Sequence, residues 1–514
     1  MSKFKNRKLS VLAIATFASL FFLVACADEP SGEVASDRDE LIIGFSGNPA
    51  QMDPHAANDV PSRQISVHIF ETLLVRDENN DLHPGLATSW EQIEDNVWQF
   101  TLREGVTFHN GLPLTAYDVE FSINRVAASP ILTPIFGMFD ANYIEVIDDH
   151  TINIGTTDPF APTLMHLAHH AAAILSAETV GDTPTSETTW DELVGTGPYT
   201  VDVWNLDDRI VLERFEDFHG DTPNMRRLEF RIMTDPHART MALEAGDVDV
   251  IINVAPTDIA NLTEDPRINM QYTPSTGIEF LGMNFNHEYL GIREVRQAIN
   301  YALDTETIVY VSTEGTMEPL TTYLAPAAFG FSPDIEAHPF DLDRAQELMD
   351  EVGVEGFEVE LLINSGSAIR LAAAEIVQNQ LQEIGITVNI QQIEWATYLD
   401  LRDDNDFDMY IGGWSNPSGD ADNGLVSILF TDLGDIRMNS AEFDEMLMAG
   451  RRAIDEEERL AIYHDALVYL HEAAPFVLFG NSSHFVASGE DVRGIIVMPS
   501  NVQFYGDVYF VDGE

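Results

Sequence analysis

Residues 369–385, IRLAAAEIVQNQLQEIG, run directly into ITVNIQQIEW at 386–395. The first stretch spaces its apolar residues three and four apart, as one face of a helix requires, and Gly385 stands where a helix C-cap is expected. The second is a strand-like apolar run. A helix that hands over at once to a strand is one αβ step of a doubly wound lobe. The same alternation recurs along the chain. Strands are expected at 40–45, 97–102, 227–233, 248–254, 279–285, 357–363, 386–393 and 407–414. Helices are expected at 116–128, with Val119, Ile123 and Val126 on one face, and from a Ser440 N-cap onward. The fold class is therefore mixed α/β.

The N-terminus predicts a location. Lys3, Lys5, Arg7 and Lys8 precede an apolar run from Leu9 to Ala25 that is too short for a stable membrane span. The run ends in Leu-Val-Ala before Cys26, the only cysteine in 514 residues. A lone thiol forms no internal disulfide. Residues 1–25 are thus expected to be a lipoprotein signal peptide, with Cys26 the lipidated first residue and 26–40 a polar tether. Acylation of this kind supplies the two or more chains that stable anchoring requires.

Beyond the signal, 86 acids face 22 bases, and every lysine lies at positions 3, 5 or 8. Repulsion excludes nucleic acid as a partner. Charge spread along the whole chain points to a solvent adaptation, because high salt shortens the Debye length to a few ångströms. A saline, and with no lysine an alkaline, exterior is expected. The melting temperature should then rise from dilute buffer to molar NaCl, and a value independent of salt contradicts that reading.

Enzyme signatures are missing. There is no G-x-S-x-G, no HExxH and no mature lysine for a phosphate-binding loop, and Gly195-Thr196-Gly197-Pro198 lacks the third glycine of a dinucleotide loop. Neither catalytic residues nor a cofactor is expected. Asp420-x-Asp422 opens like a calcium loop but has Gly424 and Thr431 at its fifth and twelfth positions. His166, His169 and His170 have a spacing that places two imidazoles on one helical face, with packing the alternative to a metal site.

Residues 82–125, LHPGLATSWEQIEDNVWQFTLREGVTFHNGLPLTAYDVEFSINR, resemble the signature of the extracytoplasmic solute-binding proteins of family 5, the peptide and nickel receptors of ABC importers. VGTGPY (194–199), VRQAINYALD (295–304) and IGGW (411–414) extend the likeness over essentially the whole mature chain. ANDVPSRQISVHIFETL, HLAHHAAAILS and WSNPSGDADNGL are similar to the glutathione- or peptide-binding subgroup, so the histidines look like part of that pattern. The resemblance implies a two-lobed periplasmic-binding-protein-like fold that closes like a hinge. Lobe one would comprise 41–275 and 482–514, lobe two 276–481, and 76–190 an extra subdomain.

The implied function is capture of a small peptide (glutathione, a di- or an oligopeptide) by a monomer that delivers it to permease subunits driven by separate ATPases. A nickel-chelate or sugar receptor on the same fold, a lipid-anchored hydrolase and a non-transporting sensor are the alternatives. The loop GGWSNPSGDADNGL (412–425) falls at a strand end, where open α/β sheets place binding crevices. Gly413 would let backbone approach the solute and Trp414 would wall it. In dipeptide and oligopeptide receptors an aspartate three residues after this tryptophan holds the ligand's α-amino group; here that position is Pro417, after Asn416. Asp420 and Asp422 are candidates to replace it, or else rim charges or caps. Arg370 is the candidate for a ligand carboxylate. Asn58 and Asp59 resemble the first-lobe wall, and Trp395 and Tyr398 complete an aromatic wall or belong to the core.

Overall fold

A computed structural model describes residues 36–512 apart from 50, 58, 186, 187, 189–192, 366, 432, 433 and 435. The expected signal peptide, Cys26, most of the tether and Asn58 lie outside the described residues. No helix among the described residues is long and apolar enough to cross a membrane.

The αβ step forms as its pattern requires. Ser367 caps the helix Ala368–Gln382 by accepting from the Arg370 N–H at 3.3 Å, and Gly385 turns the chain at φ +84°. The strand Ile386–Ile393 then pairs in parallel with Phe357–Asn364, Phe357 opposite Ile386 and Asn364 opposite Ile393. Ala373, Val377 and Leu381 of the helix pack with Val359, Leu361, Ile386 and Val388 of the strands in one core. A second core covers the other face of this half of the sheet, around Phe280, Tyr410 and Tyr463. The other half is built on Glu40–Phe45, parallel to both Arg227–Ile232 and Val250–Ile252, with its own apolar cluster around Leu41, Phe230 and Tyr505. A separate four-stranded antiparallel layer contains Ala87–Glu94, Val97–Leu102, Glu145–Asp148 and Thr151–Gly155 and encloses its own core.

Two extended segments join the halves. The strand Phe476–Gly489 pairs through Phe476–Gly480 with Ile278–Met283, and through Ser483–Gly489 with Ile268–Pro274. The second segment crosses at 275–277, beside Asn481. The Asn481 amide donates to the Ser275 and Gly277 carbonyls at 2.8 and 2.7 Å, and the Ser275 N–H donates to Ser482 at 2.9 Å. Two adjacent extended crossings are the geometry of a hinge.

The halves also touch away from these crossings. The Ala161 N–H donates to the Arg451 carbonyl at 2.7 Å, and the Arg451 guanidinium lies 5.6 Å from the Phe160 ring centroid. Arg76, on the short strand Leu74–Arg76, donates to the carbonyls of Pro417 and Ser418 at 2.8 and 2.7 Å. The structure is thus in a form where both halves meet over the loop that follows Trp414.

Candidate functional site

The helix Val60–Ile69 supplies one wall of a cavity at this meeting. Asp59 is its N-cap, accepting from the Ser62 N–H at 2.9 Å and the Ser62 hydroxyl at 2.6 Å. Its far end is fixed by the VGTGPY segment. The Gly197 N–H donates to the Ile69 carbonyl at 2.9 Å, and a methyl group on Gly195 or Gly197 would overlap that carbonyl. The close approach seats Pro198 beside Phe70 in the cavity wall. Gln64 exchanges two hydrogen bonds with the Gln503 backbone, 2.8 and 3.0 Å, which fastens the helix to the segment 498–504.

The helix buries an unusual set of polar residues: Ser62, Arg63, Gln64, Ser66 and His68. Such burial is costly unless each group is satisfied. Gln64 is, whereas the Nε of Arg63 and the Nε2 of His68 have no hydrogen-bond partner among the described residues. Arg63 lines a cavity of about 240 Å³ together with Ser66, Phe70, Arg76, His170 and Pro417. Burial pulls the guanidinium of Arg63 down to about 10, with Asp59 partly offsetting it. Arg76 is also drawn down to about 10, first by burial and then by the charge of Arg63. Two guanidiniums therefore line one small cavity. Arg76 spends its donors on neutral acceptors, the Asn80 side chain at 2.9 Å and the two loop carbonyls. Glu71 is the one carboxylate of the lining, and His219 takes both its oxygens at 2.9 and 3.1 Å.

Pro417, on the loop 414–420, lines the cavity from the other half. Trp414 is half-buried, packs on the core beside it, and donates from Nε1 to Asn423 at 3.3 Å. Asn416 adopts φ +41° and is buried; its amide nitrogen has no partner among the described residues, and Thr276 donates to its backbone carbonyl at 2.9 Å. Gly413 lies against Glu279, whose carboxylate a methyl group there would strike.

Several expected ligand contacts are engaged within the protein instead. Asp420 is 1% exposed, caps the helix Ala421–Leu429 and is held bidentately by Arg459 at 2.6 and 2.8 Å. Asp422, equally buried, is held by Arg451 at 2.6 and 3.1 Å. Neither is a free charge facing solute. Arg370 donates to Asn364 at 2.8 Å and to both oxygens of Glu279 at 3.1 and 3.2 Å, so its charge is already paired. Tyr398 is core: its hydroxyl donates to the Ile411 carbonyl at 2.9 Å and its ring packs edge-on to Tyr410. Trp395 begins the helix Trp395–Asp403, and its side chain is outside those described.

The histidines are not on one helical face. The helix Thr163–Leu167 ends before His169, which caps the next short turn. His166 bonds the Ile135 carbonyl at 2.7 Å and packs edge-on to Phe160, and the rings of His169 and His170 lie 4.3 Å apart. Burial lowers the pKa of all three. Among the described residues no group of three or more histidine, cysteine, aspartate or glutamate side chains is placed to hold a metal. Arg63 and Arg76 are the cavity residues that sequence reasoning missed. Like Arg370, both are arginines in a base-poor chain.

Residues 81–433 match the model for the middle region of the bacterial extracellular solute-binding proteins, family 5. The chain belongs to this family. A family 5 chain is a binding protein, not an enzyme. It is 27% identical over 505 residues to the dipeptide-binding protein of Escherichia coli K12, covering 91% of this chain and 94% of that one. It is 23% identical to the glutathione-binding protein GsiB of Salmonella paratyphi A, covering 97% and 98%. Its fold superposes with a TM-score of 0.79 on the periplasmic binding protein DppA of Helicobacter pylori, solved with the peptide STSA. That match is 25% identical and covers 93% of this chain and 99% of the other. The two halves joined at the crossings are the two lobes of this fold.

Proposed function

We propose that this chain is the receptor of an ABC importer, that it captures a small peptide between its lobes, and that it delivers the peptide to permease subunits powered by separate ATPases. The cavity beneath Pro417 carries the reading: it is formed jointly by one lobe's helix Val60–Ile69 and the other lobe's loop after Trp414. A site built from both lobes couples occupancy to closure, since solute bridges the two surfaces. At about 240 Å³ it lies just below the usual range of roughly 300–1,000 Å³ for ligand pockets. That size favours a short peptide, and relatives named for dipeptides and glutathione support the same class. Anchoring through Cys26 and action as a monomer belong to the proposal. So do the assignments of 41–275 with 482–514 to one lobe, 276–481 to the other, and 76–190 to an extra subdomain.

A thermal-shift screen of the purified protein in molar salt tests it, against glutathione, di- to pentapeptides, nickel with histidine, and oligosaccharides. A hundredfold excess over Kd adds roughly 2.7 kcal/mol and shifts the melting point by several degrees. A shift with peptides alone is expected. A shift with nickel–histidine or a saccharide alone contradicts the peptide reading.

A further inference from the structure

Arg63 is the feature that neither packing nor the general receptor reading explains. It is 4% exposed, and no hydrogen bond or ion pair of its guanidinium occurs among the described residues. Other buried arginines put their guanidiniums to use: even Arg239, whose Nε is also unpartnered, donates to the carbonyls of Met233, Thr234 and Asn253. Arg125 grips Asp53 at 2.5 and 2.9 Å, Arg459 grips Asp420, and Arg296 donates to the carbonyls of Leu290, Gly291 and Ala473. In a chain with 86 acids, a buried arginine with neither a carboxylate nor a carbonyl among its acceptors stands out. Its neighbours add to the deficit. Arg76 faces the same cavity with only neutral acceptors among the described residues, and His170, on the same wall, is a buried imidazole that supplies no negative charge. The charge of Asp59 reaches Arg63, but its oxygens serve the helix cap. Glu71 is occupied by His219.

A buried charge without a partner is strongly unfavourable, and an arginine fork matches a carboxylate in shape as well as sign. We propose that the cavity is an anion subsite in which Arg63, with Arg76 beside it, receives a carboxylate of the solute, so that this receptor selects acidic peptides. This names the solute class of the peptide reading and rests on that reading for the word peptide. Arg76 then has two roles, since it also holds the carbonyls of Pro417 and Ser418. A carboxylate bound beside it would brace the loop of the opposite lobe and favour the closed form. The subsite also rejects cationic peptides, because a lysine side chain there would face two guanidiniums at low dielectric.

The test is calorimetric titration of the purified protein in molar salt with Ala-Glu, Ala-Gln, Ala-Gln amide, Ala-Lys, glutathione and succinate, using wild type, Arg63→Gln and Arg63→Lys. Affinity should fall at least tenfold from Ala-Glu to Ala-Gln amide, with Ala-Lys weakest among the free acids. Arg63→Gln should weaken Ala-Glu and glutathione at least tenfold and leave Ala-Gln amide within about twofold, and Arg63→Lys should fall between. Because the substitution removes an unpartnered buried charge, Arg63→Gln should melt no lower than wild type in the absence of ligand, whereas a packing role predicts a lower melting point. Peptide binding that ignores ligand charge, or an equal loss for acid and amide in Arg63→Gln, overturns the anion subsite and leaves the peptide reading standing. Arg63-dependent binding of succinate with no peptide bound overturns the peptide reading and upholds the subsite. A folded wild type that binds none of the six overturns the subsite.

Discussion

Arg459→Met should destabilise the protein by about 3–5 kcal/mol, the range for breaking a buried ion pair from one side. Arg459 is 6% exposed and Asp420 1%. The guanidinium holds both carboxylate oxygens at 2.6 and 2.8 Å, donates to the Gly450 carbonyl at 3.0 Å, and lies 4.7 Å from the Phe329 ring centroid. Burial works against the charge on Arg459, but Asp420, Tyr463 and Asp422 together raise its pKa above the ordinary arginine value. Methionine would fill much of the volume but leave the Asp420 carboxylate buried with the Asp422 N–H at 2.8 Å as its remaining donor among the described residues. The added change Asp420→Asn removes that stranded charge and keeps a good N-cap. The double variant should therefore recover much of the loss. Urea unfolding measures both. A loss under 1 kcal/mol for Arg459→Met alone contradicts the structural role assigned to the pair.

The second large effect is with pH. Burial holds His55, His109, His338 and His484 near 4, and His68 near 3, against about 6.5 in an unfolded chain. Their folded pKa is lowered, so below 6.5 the unfolded state binds more protons and stability falls as pH falls. Each imidazole contributes a slope of up to about 1.4 kcal/mol per pH unit between 6.5 and its folded value. Five together approach about 7 kcal/mol per unit near pH 5, against a total stability of order 5–15 kcal/mol. Asp249, whose pKa burial raises, opposes this by one group. Relief of acidic self-repulsion sets in only as carboxylates protonate near pH 4. Unfolding is expected between about pH 6 and 4.5, and urea midpoints at pH 8, 6 and 5 should fall steeply across the last interval. Equal midpoints at pH 8 and 5 contradict the neutral burial of these histidines.

Local patterning made much of the fold legible. The strands at 40–45, 97–102 and 386–393 form over the expected ranges, and the helix after Ser440 runs Ala441–Arg452. The longest strand, Phe476–Gly489, escaped notice because Gly480-Asn481-Ser482-Ser483-His484 interrupts its apolar run. That interruption is where it passes between lobes, and Asn481 there serves the crossing backbone. The eighteen-residue helix Glu456–Ala473 opens on three glutamates and mixes polar residues on every face, so periodicity gave it no signal.

The site was less legible, for an electrostatic reason. In so acidic a chain every carboxylate looks available, and sequence does not show which arginine claims it. Asp420 and Asp422 are claimed by bases 39 and 29 positions later, and Arg370 by Glu279, 91 positions earlier. The cavity assembles Arg63, Arg76, His170 and Pro417 from four separate stretches, and their shared lack of a carboxylate exists only in the fold.

The measurement that bears most directly on the receptor reading is a crystal structure of the protein with the tightest peptide from the titration panel. The account predicts peptide enclosed between the lobes, a carboxylate within hydrogen-bond distance of the Arg63 guanidinium, and Pro417 against the same ligand. Peptide bound elsewhere, or bound between the lobes with its carboxylates turned away from Arg63 and Arg76, would contradict it.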